Sequence, residues 1–237
     1  MTKVKICGLR RMEDIEAVNR LKPEYIGFVF YEKSRRNVTE EEAMALRKAL
    51  DSDIISVGVF VDAEPELILR LMRKGIISIA QLHGRETEEY IENLKTEIER
   101  NVISAKDCVS GYDCMEYCGI GQKKAGKEKS RKSEADRRYG IIKAFLIKTE
   151  ADLAAARRTH ADYILFDNGL GSGETFDWEI LKDFHRPYFL AGGLKAANVS
   201  DAIQRLSPYA VDISSGVETE GYKDPLKMKT FIERVRM

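Results

Sequence analysis

Three residues in this 237-residue chain close short apolar runs with a group able to move a proton: Cys7, His83 and Asp167. Cys7 ends the run Val4–Cys7 and is followed by Gly8, which opens space beside it. A thiol near positive charge shifts toward thiolate and serves as base or nucleophile, although a small cysteine is equally a good packing residue. Asp167 follows Tyr163–Phe166, where a carboxylate is costly to bury without purpose. Capping of the next loop is its plainer role. His83 stands in Gln81-Leu82-His83-Gly84, either as a structural histidine or facing a ligand. Behind Ser34, Arg35 and Arg36 offer guanidinium groups that face solvent or grip a carboxylate through two parallel bonds. Two glycine-bearing turns, Ala191-Gly192-Gly193 and Asp212-Ile213-Ser214-Ser215-Gly216, let backbone N–H groups approach a phosphate closely. Gly169, Gly171 and Gly173, within Asn168–Glu174, suit a mobile loop over such a site.

The elements that must position these groups repeat along the chain. Apolar, β-branched runs occur at Val4–Cys7, Tyr25–Phe30, Ile55–Val61, Ile76–Leu82, Ile141–Ile147, Tyr163–Phe166, Tyr188–Ala191 and Ala210–Ile213. Runs apolar on both faces suit parallel strands covered on both sides. Between them lie amphipathic stretches of helical length, including Glu40–Leu50, Glu64–Arg73, Glu86–Glu99, Asn198–Leu206 and Asp224–Val235. Strand then helix, repeated eight times, predicts an α/β fold of the (β/α)8 TIM-barrel type over 1–237, with an open doubly wound sheet as the alternative. In a barrel, function collects at the C-terminal ends of the strands, and phosphate commonly sits between the loops after strands 7 and 8. Cys7, Arg36, His83, Asp167, Gly192, Gly193, Asp212, Ser215 and Gly216 all fall at such ends or loops.

One stretch breaks the rhythm. Between the fourth helix and the fifth strand, residues 101–140 form a charged insertion, and Gly111–Gly140 alone holds eight Lys/Arg and five Asp/Glu. It reads as a solvated surface excursion. Cys108, Cys114 and Cys118 lie there without paired C-x2-C spacing or a histidine, so no metal site is expected. Lys+Arg and Asp+Glu balance at 39 each, which argues against nucleic-acid binding by bulk charge. No apolar run approaches the roughly 18 residues of a membrane helix. The N-terminus enters a strand without a signal-like segment, and the cysteines suggest no disulfide framework, so a cytoplasmic protein with reduced thiols is expected.

At these residues the sequence resembles the phosphoribosylanthranilate isomerase family. The matching segments are KICGL (5–9), GFVF with SRR (27–36), VGVFVD (57–62), QLHG (81–84), LFDN with GSGETFDW (165–178), AGGL (191–194) and VDISSGVET (211–219). The resemblance implies a cofactor-free Amadori rearrangement of a small phosphosugar substrate in tryptophan biosynthesis. N-(5-phosphoribosyl)anthranilate becomes 1-(2-carboxyphenylamino)-1-deoxyribulose 5-phosphate. It further implies Cys7 as general base and Asp167 as general acid, Arg36 for the anthranilate carboxylate, and Gly192, Gly193, Ser215 and Gly216 for the phosphate. His83 and Asp212 become second-rank substrate contacts, and the segment around 101–140 has no family counterpart.

Three other readings compete. The histidine-pathway Amadori barrel uses two aspartates, which Cys7 opposes. Indole-glycerol-phosphate synthase depends on catalytic lysines; Lys5 lies inside strand 1, but its companions are not apparent. A barrel kept as a scaffold, with the insertion binding a partner, would have no need of Cys7 and Asp167.

Overall fold

Eight parallel strands close into a barrel in the computed structural model, which describes residues 1–103, 139–147, 149–167 and 178–237. They are β1 (Lys3–Cys7), β2 (Tyr25–Phe30), β3 (Ile55–Phe60), β4 (Ile79–Leu82), β5 (Gly140–Leu146), β6 (Tyr163–Asp167), β7 (Tyr188–Leu190) and β8 (Ala210–Ile213). Each pairs with the next, and β8 returns to β1 with Lys3 opposite Ala210 and Lys5 opposite Asp212. The closed ring excludes the open-sheet alternative.

Outside the ring lie α1 (Met12–Leu21), α2 (Glu40–Ala49), α3 (Pro65–Arg73), α4 (Glu88–Ile98), α5 (Glu150–Arg158), α6 (Val199–Leu206) and α7 (Pro225–Arg236). Their starts follow local chemistry. Thr39 and Glu42 form a reciprocal capping box on α2, Thr149 and Asp152 repeat it on α5, and Asp224 caps α7 ahead of Pro225. None of the helices among the described residues is long and apolar enough to cross a membrane.

The strand expected at Ile76–Leu82 begins only at Ile79. Gly75, in the left-handed region at φ 69°, ends α3, and Ile76 still donates to the Leu71 carbonyl at 3.0 Å. Ile76 and Ile77 are apolar because the turn itself is buried, not because it is strand.

Alternation along each strand separates two cores. Val4, Ile6, Ala80, Leu82, Ile164, Phe166, Val211 and Ile213 join the layer beneath the helices. The opposite faces point into the barrel, where Tyr25, Val57, Ile79, Ile142, Leu165, Phe189 and Ala210 form an inner cluster. Lys5, Cys7, Gln81, Asp167 and Asp212 share that inward parity. Aromatic rings fill the N-terminal end: Phe189 meets the Tyr25 ring at 5.3 Å, Tyr209 at 5.7 Å and Tyr163 at 5.8 Å.

After α4 the chain makes one wider turn, Glu99–Ile103, and resumes before β5. Residues 104–138, holding Cys108, Cys114 and Cys118, lie outside the described residues, as do Gly169, Gly171 and Gly173.

Candidate functional site

At the C-terminal mouth of the barrel one cavity is lined by Cys7, Arg36, His83, Asp167, Gly192, Gly193, Asp212, Ser215 and Gly216, while Arg35 lies outside its lining. Cys7 and Arg36 border one side, His83 and Asp167 another, and Gly192, Gly193, Asp212, Ser215 and Gly216 a third. Barrel closure makes this convergence: six strands or their loops supply the groups.

Cys7 is buried against β2. An ideal Cβ on Gly27 would stand 2.7 Å from the Cys7 Sγ, so the absence of a side chain there makes room for the thiol. Burial pushes the thiol above its ordinary value; Lys5 pulls it down, Asp212 pushes it up and Lys223 pulls it down again. Two ammonium groups, Lys5 and Lys223, thus stand near enough to favour its thiolate.

Beneath Cys7, the fully buried Lys5 donates to Asp212 Oδ1 at 3.0 Å. Burial works to lower the Lys5 value, but Asp212 and then Cys7 outweigh it and hold the ammonium charged. Asp212, expected as a substrate contact, thus lines the cavity while bound to a lysine. Lys5 is its ion-pair partner, and the inward parity of Lys5 and Cys7 on β1 was a sequence signal for that placement.

Across the mouth, His83 Nε2 stands 3.5 Å from Asp167 Oδ2. Gln81 Nε2 and His83 Nδ1 are 3.1 Å apart, so an amide donating here leaves the ring proton on Nε2, facing Asp167. Gln81 is buried, and its Oε1 has no hydrogen-bond partner among the described residues. His83, expected to touch substrate, lines the cavity beside Asp167, the expected acid.

The two glycine-bearing loops meet side by side. Gly192 and Gly193 adopt φ of 80° and 66°, a region that L side chains rarely enter. A Cβ on Gly216 would fall 2.4 Å from the Leu194 carbonyl oxygen, so the loops approach too closely for a side chain. Among the described residues, the backbone N–H groups of Gly192, Gly193, Ser215 and Gly216 donate to no protein acceptor. Four such donors at one cavity wall suit an anion.

Arg36, expected either to face solvent or to grip a carboxylate, grips one of the protein's own. Its Nε donates to Glu218 Oε1 at 2.7 Å and its Nη2 to Glu218 Oε2 at 2.9 Å, a fork on an internal carboxylate. Glu218 belongs to β9 (Glu218–Thr219), which pairs antiparallel with β10 (Tyr222–Lys223). Lys223 Nζ also donates to Glu218 Oε1 at 2.8 Å, and Arg35 Nη2 to Oε2 at 2.9 Å. Burial works to raise the Glu218 carboxyl, but its bonds from Arg36 and Lys223 hold it at about 2. Neither residue stood out beforehand: Glu218 sits within the quoted VDISSGVET segment, while Lys223 carries no local signal at all. Among the described residues no cluster of three or more His, Cys, Asp or Glu could hold a metal ion.

With this geometry in view, the relatives align closely. The sequence model of the N-(5'-phosphoribosyl)anthranilate (PRA) isomerase family matches residues 4–117 and 125–234. This corrects the expectation that 101–140 has no family counterpart: only 118–124 falls between the matched stretches. An N-(5'-phosphoribosyl)anthranilate isomerase of Thermoanaerobacter sp. is 41% identical over 243 aligned positions, covering 100% of this chain and 98% of the relative. The crystal structure of phosphoribosyl anthranilate isomerase from Thermotoga maritima aligns with a TM-score of 0.75 at 32% identity, over 100% of this chain and 99% of that one. A structure of the same enzyme type in complex with reduced 1-(o-carboxyphenylamino)-1-deoxyribulose 5-phosphate gives a TM-score of 0.73 at 31% identity, over 100% and 99% of the two chains.

Proposed function

The chain belongs to the N-(5'-phosphoribosyl)anthranilate isomerase family of tryptophan biosynthesis, and on that premise we propose that Cys7 and Asp167 carry the rearrangement as base and acid. The observation that carries this assignment is the meeting of a buried thiol on β1 and a carboxyl on β6 in one cavity with a cluster of unpaired N–H donors.

Asp167 gives its proton to the furanose ring oxygen, and the C1'–O bond breaks to leave an open-chain protonated imine. The positive nitrogen acidifies the C2' proton, which passes to the Cys7 thiolate, and the electron pair forms an enolamine. A proton then moves from the enol oxygen to C1', giving the ketone. Cys7 has gained one proton and Asp167 has lost one, so exchange with solvent resets both. The oxidation of C2' is matched by the reduction of C1' in the same molecule, so no external redox partner is called for. The productive state pairs a thiolate with a protonated carboxyl in one molecule. Lys5 and Lys223 favour the first, and His83, 3.5 Å from Asp167, orients the second.

The N–H groups of Gly192, Gly193, Ser215 and Gly216 take the phosphate, and Arg36 takes the anthranilate carboxylate through its edge turned away from Glu218. A relative's complex with a reduced product analogue supports a small phosphosugar ligand for this cavity. On this reading the chain acts as a single barrel unit, and residues 101–140 take no part in the chemistry. The test is turnover of PRA by Cys7→Ala and Asp167→Asn. A positioned acid or base contributes about 10²–10⁴-fold, so each variant should lose that much while still binding a product analogue. Losses within about threefold would remove both roles.

A further inference from the structure

We infer that Glu218 is a positioning residue: it orients the Arg36 guanidinium, and Lys223 anchors it to the β8 loop, so that the carboxylate end of the substrate is set relative to the phosphate end. This rests on the assignment of Arg36 to the anthranilate carboxylate and of the β8 loop to the phosphate.

Exposure separates this cluster from an ordinary surface pair. The Glu218 side chain is 5% exposed, Lys223 1% and Arg36 21%. Exposed pairs contribute little, whereas a desolvated, multiply bonded carboxylate constrains its partners tightly. Glu218 accepts four bonds of 2.7–2.9 Å, two of them the Arg36 fork. The fork fixes the plane of the guanidinium as well as its position. From below, the Arg36 stem lies across Gly8, where an ideal Cβ would come within 2.4 Å of Cδ. Arg36 is therefore held at its stem by a missing side chain and at its tip by a carboxylate.

Lys223 carries the constraint onward. Besides Glu218 it donates to the Ser214 carbonyl at 2.9 Å and to Ser214 Oγ at 3.2 Å. Ser214 Oγ in turn donates to the Cys7 carbonyl at 3.0 Å. Ser214 immediately precedes Ser215 and Gly216, so the cluster reaches from the Arg36 end of the cavity to the phosphate loop and the end of β1. The β9–β10 hairpin supplies the rigidity, because Lys223 and Glu218 are register partners in it. Three cations, Arg35, Arg36 and Lys223, surround one carboxylate, leaving a formal surplus of two positive charges beside the cavity. A ligand with an anion at each end fits that surplus.

The experiment compares two ligands on Glu218→Gln and Glu218→Asp: reduced product analogue, and the same molecule built on aniline without the carboxylate. Wild type should prefer the first. In Glu218→Gln that preference should fall by tenfold to a hundredfold, the scale expected for a group displaced by about 1 Å. Affinity for the aniline compound should stay within about threefold, and KM should change more than kcat. Glu218→Asp keeps a charge for Lys223 but is too short to hold the fork and Lys223 together, so it should fall on the same side. It decides the matter if Glu218→Gln does not fold. Undiminished preference in a folded variant, or equal weakening of both ligands, would overturn the positioning role. Arg36→Met is the separate control: if it keeps full preference for the carboxylate, the assignment of Arg36 itself is wrong, whatever Glu218 does.

Discussion

A methyl group placed at residue 27 tests how closely the chemistry depends on Cys7 geometry. Gly27 faces Cys7 across the β1–β2 ladder, and a Cβ there would lie 2.7 Å from Sγ, 3.2 Å from Cα and 3.3 Å from Cβ of Cys7. Ordinary carbon contacts are about 3.5–4.0 Å, so the thiol or its strand must move by about 1 Å. A displacement of that size is enough to lower a rate by about 10²-fold. The stability change is smaller. Overpacking costs about 1–3 kcal/mol, and replacing a strand glycine by alanine returns about 0.5–1 kcal/mol. The net of up to about 2.5 kcal/mol corresponds to a fall in thermal midpoint of no more than about 10 °C for a chain of this size. Gly27→Ala should therefore be folded at 25 °C and slow. The assay is steady-state conversion of PRA with a thermal melt of the same sample. The decisive control is the double variant with Cys7→Ala, which removes the sulfur that the methyl group strikes. If the methyl group acts only by displacing the base, the double variant is no slower than Cys7→Ala alone, because the two changes share one target. A Gly27→Ala enzyme within about threefold of wild-type kcat would refute the geometry, and a double variant far slower than Cys7→Ala would show damage elsewhere.

The remaining expectations concern protons and residues 105–138. Burial holds the Cys7 thiol above its ordinary value, so the thiolate fraction rises about tenfold per pH unit below that point. In wild type the mechanism also needs Asp167 as the acid, and its ionisation works against that gain. In Asp167→Asn the opposing ionisation is gone, and residual kcat/KM should climb with pH between 6 and 8; a flat profile in that variant would exclude Cys7 as the base. Replacing residues 105–138 with a short Gly/Ser linker should leave turnover unchanged. The flanking segments, α4 and the start of β5, meet at the barrel end opposite the cavity. Joint loss of activity and thermal midpoint in that deletion would give the segment a structural role.

What the sequence determined by itself is what neighbours along the chain decide. Strands need short runs apolar on both faces, helices need apolar residues at helical spacing, and both patterns repeat often enough to predict a barrel, although only the closure of β8 on β1 excludes the open sheet. The strand ends then name Cys7, His83, Asp167 and the two glycine-bearing turns, because a barrel brings those ends to one mouth. Where burial and secondary structure diverge, the local signal misleads: Ile76 and Ile77 look like strand and are a buried turn. Partnerships belong to the tertiary structure alone. Arg36 finds Glu218 across 182 residues of sequence, and Lys5 finds Asp212 across 207. Nothing in the spacing of either pair announces them. Their attraction acts only after β8 has closed against β1 and excluded water, since a charge pair that is screened and mobile in the open chain becomes short-range, desolvated and fixed in the closed one.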